Sequence, residues 1–521
     1  MEGNREKVMS QKVTCFFGVA AVLALAAASP AAAQKSKDIL RFPMPDVHTT
    51  VDTYLEPGRV SQIWDPSVYD GLFGYNPNEG KYASQLAKSW TQPSPTVYEI
   101  ELRDDVKFHD GEQFDADDVV YTLNYVIDPK VKLRFKDAWS FIKSVEKIGP
   151  YKVRLTTTEP SPDAIMQLAF GSPIYPEHYH KKFDNKEDFG SKPIGTGPYR
   201  ILQLDRNKGT IAEKNPFFKG HPTKVVASIG RVYSASILDM GTLAALMLAD
   251  EADVARSLPI DQALALEQTG RFKVSLAPPR AAYNFLQMPS AAWKNVKALG
   301  DVRVRKAVMM AIDRKALVQQ QYGPLGKDVA AFDGLCKKEQ IGCGFTAELI
   351  PAYDPAGAKK LLAEAGYPGG FDVTISSYND NVGQATLIAG MLRAIGVRTS
   401  SKVIASQNRL KLVKSGEVEI GYLGWSGGGT MTVAPNIVRL FMSEEHDDPQ
   451  LIKMAAPALT TMDDGERRKA AAKVFDYYTE NAYGFPMHSN PETFTHSTNL
   501  AIRNPGEMRP NSVHPHEFYW K

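Results

Sequence analysis

Gly424-Trp425-Ser426-Gly427-Gly428 has the GxSxG spacing that holds a nucleophilic serine on a sharp strand-to-helix turn. Such an elbow needs a helix directly after the serine, and Gly427-Gly428-Gly429-Thr430 has no helical character. A secreted serine hydrolase using Ser426 therefore stands only as an alternative, and the protein is expected not to be an enzyme. His178-Tyr179-His180 looks like a metal pair, but residues two apart share a face only in a strand. PEHYHKKF reads as helix or loop, so these histidines are expected at the surface, with no metal and no cofactor. Gly195-Thr196-Gly197-Pro198-Tyr199 is too short, and wrongly placed, for a phosphate-cradling GxGxxG, which opens a helix after a strand.

The elements around these residues are legible from periodicity. Tyr98, Ile100 and Leu102 alternate with Glu99, Glu101 and Arg103 as in a half-buried strand. A turn at Asp110-Gly111 follows, and Asp115 is placed to cap a helix whose buried stripe is Val119, Val120, Leu123 and Val126. Tyr151–Thr157, Tyr199–Leu204, Val225–Tyr233 and Tyr283–Leu286 read as strands, and residues 301–318 as a helix. Asp354 caps a helix that opens on Pro355 and stops at Gly366; a strand from Phe371 to Ile375 and a helix from Gln384 to Ile395 follow. Strand-helix-strand order of this kind belongs to an α/β fold.

The chain has 61 basic and 59 acidic residues, a balance with no electrostatic footprint for nucleic acid or anionic membrane. Residues 1–33 read as a signal peptide: Arg5, Lys7 and Lys12, an apolar run from Cys15 to Ala28, and small residues at Ala31-Ala32-Ala33. Cleavage is expected before Gln34. The remainder exceeds the roughly 250–300 residues at which one core stops growing, so several domains are expected. Cys336 and Cys343 remain after the leader; an oxidising compartment favours their disulfide, and no further metal ligands lie nearby in sequence.

LRDDVKFHDGEQFDADDVVYTL, residues 102–123, closely resembles the hallmark segment of the peptide-type solute-binding proteins of ABC importers. YDGL at 69–72, GTGPY at 195–199, NPFFKG at 215–220, the helix at 301–318 and YDPAGAKKLLAEAGYPGGFDVTI at 353–375 resemble further family motifs in the same order. The resemblance implies a two-lobed α/β periplasmic binding protein of type II, hinged, with an additional inserted domain. Lobe I is expected at 35–72, 195–281 and 484–521, the insertion at 73–194, and lobe II at 282–483. It implies an exported, periplasmic monomer that takes a small solute, by default a peptide, between its lobes and delivers it to an inner-membrane permease. A periplasmic chaperone or receptor partner on the same fold is a further alternative. Trp425, Ser426 and Gly427 coincide with a segment that lines the ligand cleft in the family. Dipeptide-binding relatives carry an aspartate soon after that tryptophan, where this chain has Gly428. Arg280, beside Tyr283 at the expected entry to lobe II, could instead hold a carboxylate in its planar fork. Asp46 and Asp52, in the atypical first loop, are candidates to serve an amine. A carboxylate-bearing non-peptide such as an opine or sugar acid is thus the alternative ligand.

Overall fold

The computed structural model describes residues 38–521 apart from 57–58, 77–80, 134–135, 170–171, 278–282, 330–335, 337–342, 406–407, 426–445, 447 and 504–512. The expected leader at 1–33 lies outside the described residues. Val97–Leu102 forms a strand of alternating burial and Ala116–Ile127 a helix. The helix opens on a reciprocal cap: the Asp115 carboxylate accepts from the Asp117 N–H, and Asp118 accepts from the Asp115 N–H. That arrangement satisfies donors which the first turn of any helix leaves open. Val97–Leu102 is central in an antiparallel meander with Ala87–Ser94, Lys152–Thr157 and Ile142–Gly149.

A second sheet contains Tyr199–Asp205, Gly209–Lys214 and Arg231–Ser234, with Ile39–Arg41 parallel to the last. Leu40, Tyr199 and Val232 of this sheet share one continuous core with Ile100 and Leu155 of the meander and Leu123 of the helix Ala116–Ile127, these last three within the segment expected as an insertion. The strand expected over Val225–Tyr233 narrows to Arg231–Ser234. The residues after Lys224 leave the extended form, where Lys224 closes a bridge with His221 and its side chain enters the core.

There Lys224 donates to Asp70 Oδ1 and to the Tyr69 carbonyl, both at 2.6 Å. Thr196 donates to Asp70 Oδ2 at 2.8 Å, and His221 Nε2 lies 3.1 Å from Asp70 Oδ1. Burial alone would raise the Asp70 pKa, but the charge of Lys224 and the hydrogen bond from His221 hold it well below the usual carboxylate range. His109 completes the cluster: its Nδ1 accepts from the Gly195 N–H at 3.2 Å, and its Nε2 donates to the Gly197 carbonyl at 3.1 Å. A Cβ on Gly197 would lie 2.6 Å from the Val68 carbonyl carbon, so only glycine admits this approach. The Tyr-Asp-Gly, His-Asp-Gly and Gly-Thr-Gly motifs are one buried polar joint.

The remaining large sheet has the order Arg398–Val403, Asp372–Ser377, Ile420–Trp425, Tyr283–Gln287, Gly484–Ser489. The first three strands are parallel, and Tyr283–Gln287 is antiparallel to both of its neighbours. Helices Val302–Met310, Pro355–Glu364 and Val382–Ala394 cover one face, and Pro449–Thr460 and Asp464–Glu480 the other. Cover on both faces explains the nearly unbroken burial of Ile420–Leu423. Periodicity over 301–318 suggested one helix; there are two, because Asp313 accepts from the Lys315 and Ala316 N–H groups and starts a second helix, Arg314–Tyr322. Cys336 and Cys343 are joined by a disulfide, their Cα atoms 5.8 Å apart.

Two chain segments link this sheet to the small sheet Val254–Arg256, Thr493–Ser497, Phe272–Leu276. One leaves Phe272–Leu276 at Ala277 for Tyr283; the other runs from Ser489 to Thr493. Where the first begins, the Ala277 N–H donates to the Glu492 carbonyl of the second at 2.8 Å. Gly484–Ser489, placed in lobe I in the sequence reading, hydrogen-bonds in the five-stranded sheet, so the return crossing comes after Ser489.

Lys224→Met, which leaves the Asp70 carboxylate buried without its cation, is expected to lower stability by about 3–5 kcal/mol in urea unfolding. Adding Asp70→Asn should recover much of that loss; a double variant as unstable as the single would exclude the pair as the cause. A pH dependence is also expected. Burial holds His48, His109 and His488 at about 4 and His180 and His446 at about 3, below the ordinary 6.5. Stability from keeping them neutral is complete above pH 6.5 and lost as pH falls through these values. Burial raises Asp52 and Asp118 to about 6, which acts in the opposite direction over part of that window but involves fewer groups. The melting temperature should therefore fall between pH 6.5 and 4; a flat profile would contradict neutral buried imidazoles.

Candidate ligand-binding site

In open α/β sheets ligands sit in the crevice beyond the carboxyl ends of parallel strands. Asp372–Ser377 and Ile420–Trp425 are parallel neighbours, and Tyr283 lies in register with both Trp425 and Ser489 at that edge. Both linking segments meet the sheet here, so the strand ends open towards the first lobe's side of the molecule.

Three asparagine amides converge on Gly424 at this edge. A Cβ on Gly424 would lie 2.8 Å from Asn284 Oδ1, 3.2 Å from Asn381 Nδ2 and 3.8 Å from Asn490 Nδ2. The orientations of Asn284 and Asn490 have identifiable causes. Asn284 Nδ2 donates to the Tyr422 hydroxyl at 3.0 Å. Tyr422 donates to His488 Nε2 at 3.3 Å, and His488 Nδ1 donates to the Ser489 carbonyl at 2.7 Å. Burial keeps His488 neutral by lowering its pKa to about 4, so the relay runs in one direction and turns Asn284 Oδ1 towards Gly424. That oxygen is fully buried and has no hydrogen-bond partner. Asn490 Oδ1 accepts from Gln321 at 3.0 Å and from the Tyr322 hydroxyl at 2.8 Å, which directs its Nδ2 to the other side. Asn381 precedes helix Val382–Ala394 without capping it.

Tyr283, the neighbour of Asn284, is buried on the opposite face of the strand, its ring 6.2 Å from Phe285. Asp52 accepts from the Tyr54 and Leu55 N–H groups and from the Tyr175 hydroxyl, each at 3.0 Å, inside an aromatic cluster. Asp46 is half-buried in the loop after the Met44–Ser236 bridge. The Trp425 backbone closes its strand, while its side chain, Ser426, Gly427 and Arg280 lie outside the described residues. His180 departs from the surface expectation: it is buried, with Nδ1 2.6 Å from the Tyr121 hydroxyl, whereas His178 lies 2.8 Å from Asp110. The asparagine trio escaped the sequence reading. Its one signal was Asn284, a poor strand former placed between the aromatic residues Tyr283 and Phe285 of a strand.

Among the described residues no helix is long and apolar enough to cross a membrane. The family described as "Bacterial extracellular solute-binding proteins, family 5 Middle" matches residues 81–447. A glutathione-binding protein, GsiB, of Escherichia coli (strain K12) is 28% identical over 475 residues, 87% of this chain and 89% of that protein. The periplasmic binding protein DppA from Helicobacter pylori, solved with the peptide STSA, superposes with a TM-score of 0.75 at 21% identity, covering 92% of this chain and 98% of that one. NikA from Brucella suis, solved with Fe(III)-EDTA, superposes at 0.79 with 20% identity, covering 93% and 100%. At such identities the two structures speak for the fold, two lobes about a hinge. The family and these relatives are binding proteins rather than enzymes. With that match over most of its length, the chain belongs to the extracellular solute-binding proteins of family 5, which capture small solutes or peptides for ABC importers.

Proposed function

We propose that this protein is exported to the periplasm, closes on one solute between its two lobes, and presents the closed complex to an ABC permease as a monomer. The observation that carries this reading is the contact between the two crossings, the Ala277 N–H on the Glu492 carbonyl, which joins parts of the molecule that have cores of their own. Two short links of opposite direction that meet at Ala277 and Glu492 favour rotation about an axis through that point, the geometry of hinge closure. A solute touching both lobes lowers the energy of the closed state only, so binding moves the hinge equilibrium.

The arrangement reads as closed. Asp163, beside the meander, pairs with Arg467 on helix Asp464–Glu480 at 2.6 Å, and both side chains are about 95% buried. Since the pair joins the two sides, it forms on closure and separates on opening. Peptide is the first ligand class, supported by what GsiB and DppA bind; a carboxylate-bearing non-peptide held by Arg280 is the second.

Thermal-shift screening of the mature protein with peptides, sugars and organic acids tests the reading. A true ligand at 100 times its dissociation constant adds about 2.7 kcal/mol, a clear shift; silence across the panel would count against solute capture. With a ligand in hand, Trp425→Ala should weaken binding at least about tenfold, or about 1.4 kcal/mol, while melting stays cooperative. Arg467→Ala should also weaken binding, because it destabilises only the closed state. Unchanged affinity in Arg467→Ala would remove the Asp163 pair from the closing mechanism.

A further inference from the structure

We infer that the strand-end subsite of the five-stranded sheet holds an uncharged hydrogen-bonding group of the solute, an amide or a hydroxyl pair, and not an ammonium group. The inference rests on the solute-capture reading and adds the chemistry of one contact. Asn284 Oδ1 is a fully buried acceptor without a partner, and the Tyr422–His488 relay prevents it from turning away. Leaving such an oxygen dry carries the full desolvation penalty of an unpaired acceptor, which a ligand donor would recover. Asn381 Nδ2 and Asn490 Nδ2 supply donors to the same point above the bare Gly424 backbone. Asn381 opens a thirteen-residue helix and spends no side-chain bond on its first turn, so the positive end of that helix adds to the attraction for a ligand oxygen.

One acceptor beside two donors matches a group that both donates and accepts. A peptide bond does so through N–H and C=O, and neighbouring sugar hydroxyls do so as well. An ammonium offers donors alone, would face two amide N–H groups, and needs a counter-charge when buried. Among the described residues no carboxylate hydrogen-bonds to Asn284, Asn381 or Asn490, and the titratable group behind them, His488, is held neutral. The absence of a carboxylate at Gly428 agrees with this. A missing Cβ at Gly424 is part of the design, because any side chain there would fill the position the ligand group takes.

Calorimetry on the mature chain with three probes separates the sources: N-acetyl-alanyl-alanine amide, cellobiose and zwitterionic Ala-Ala. At least one uncharged probe should bind at least about tenfold more tightly than Ala-Ala. Asn284→Leu and Asn381→Ala should each reduce that affinity by a similar factor. Asn381→Ala lies at a helix start rather than within the sheet, so it tests the subsite even if Asn284→Leu disturbs folding. Asn284→Asp should shift preference towards Ala-Ala by creating the counter-charge an ammonium requires. Equal or tighter Ala-Ala binding by the wild type, or an uncharged probe indifferent to both neutral substitutions, would overturn the subsite and leave solute capture intact. Silence of all three probes would also reject the subsite as drawn; solute capture itself fails only if the wider thermal-shift panel is silent too.

Discussion

The buried ion pair between Asp70 and Lys224 is the constraint on which the first half of the molecule depends. A carboxylate and an ammonium cannot both be taken from water unless each finds close partners, so the surrounding chain is committed to supplying them. Thr196, His221 and the Tyr69 carbonyl do so, and each belongs to a different stretch of sequence. Gln85 extends the same joint by accepting from the Gly71 N–H and donating to Thr223. The meander and the sheet that holds Ile39–Arg41 are thereby fastened around one core. In the closing motion proposed above, this fastened half turns as one body about the crossings at Ala277 and Glu492.

Burial on both faces governs the second half. With helices on each side, Ile420–Trp425, Tyr283–Gln287 and Gly484–Ser489 carry polar side chains where these are paired or where the sheet ends. Tyr422 and His488 are of the first kind and Asn284 is of the second. The relay through Tyr422 and His488 thus has two consequences: it satisfies polar atoms inside the sheet, and it fixes the direction of the amide at its edge. Hydrogen bonding inside the core sets the polarity of the crevice.

Much of this was present in local sequence. Alternation in Val97–Leu102, the Asp115 cap and the Asp354-Pro355 helix start depend on neighbours a few residues away, so reading them required no tertiary information. Where local signals misled, a nearby competing interaction explains it. Asp313 caps within an unbroken apolar period and divides it, since side-chain capping outweighs periodicity once the preceding turn ends. Lys224 draws the chain before Arg231 out of the extended form, and its partner Asp70 is 154 residues away.

Family, α/β class and most element types were legible in the chain, because these rest on motifs and periods short enough to be read in one window. Tertiary structure alone decided which residues meet at the strand ends. Asn284, Asn381, Gly424 and Asn490 are spread over more than two hundred positions, and no local pattern marks amides that converge only through sheet register. It also decided that Asp52 and His180 are buried among aromatic rings, a matter of what packs around them rather than of what adjoins them. Register and packing are collective properties of distant segments, and they turned three ordinary asparagines into a candidate site.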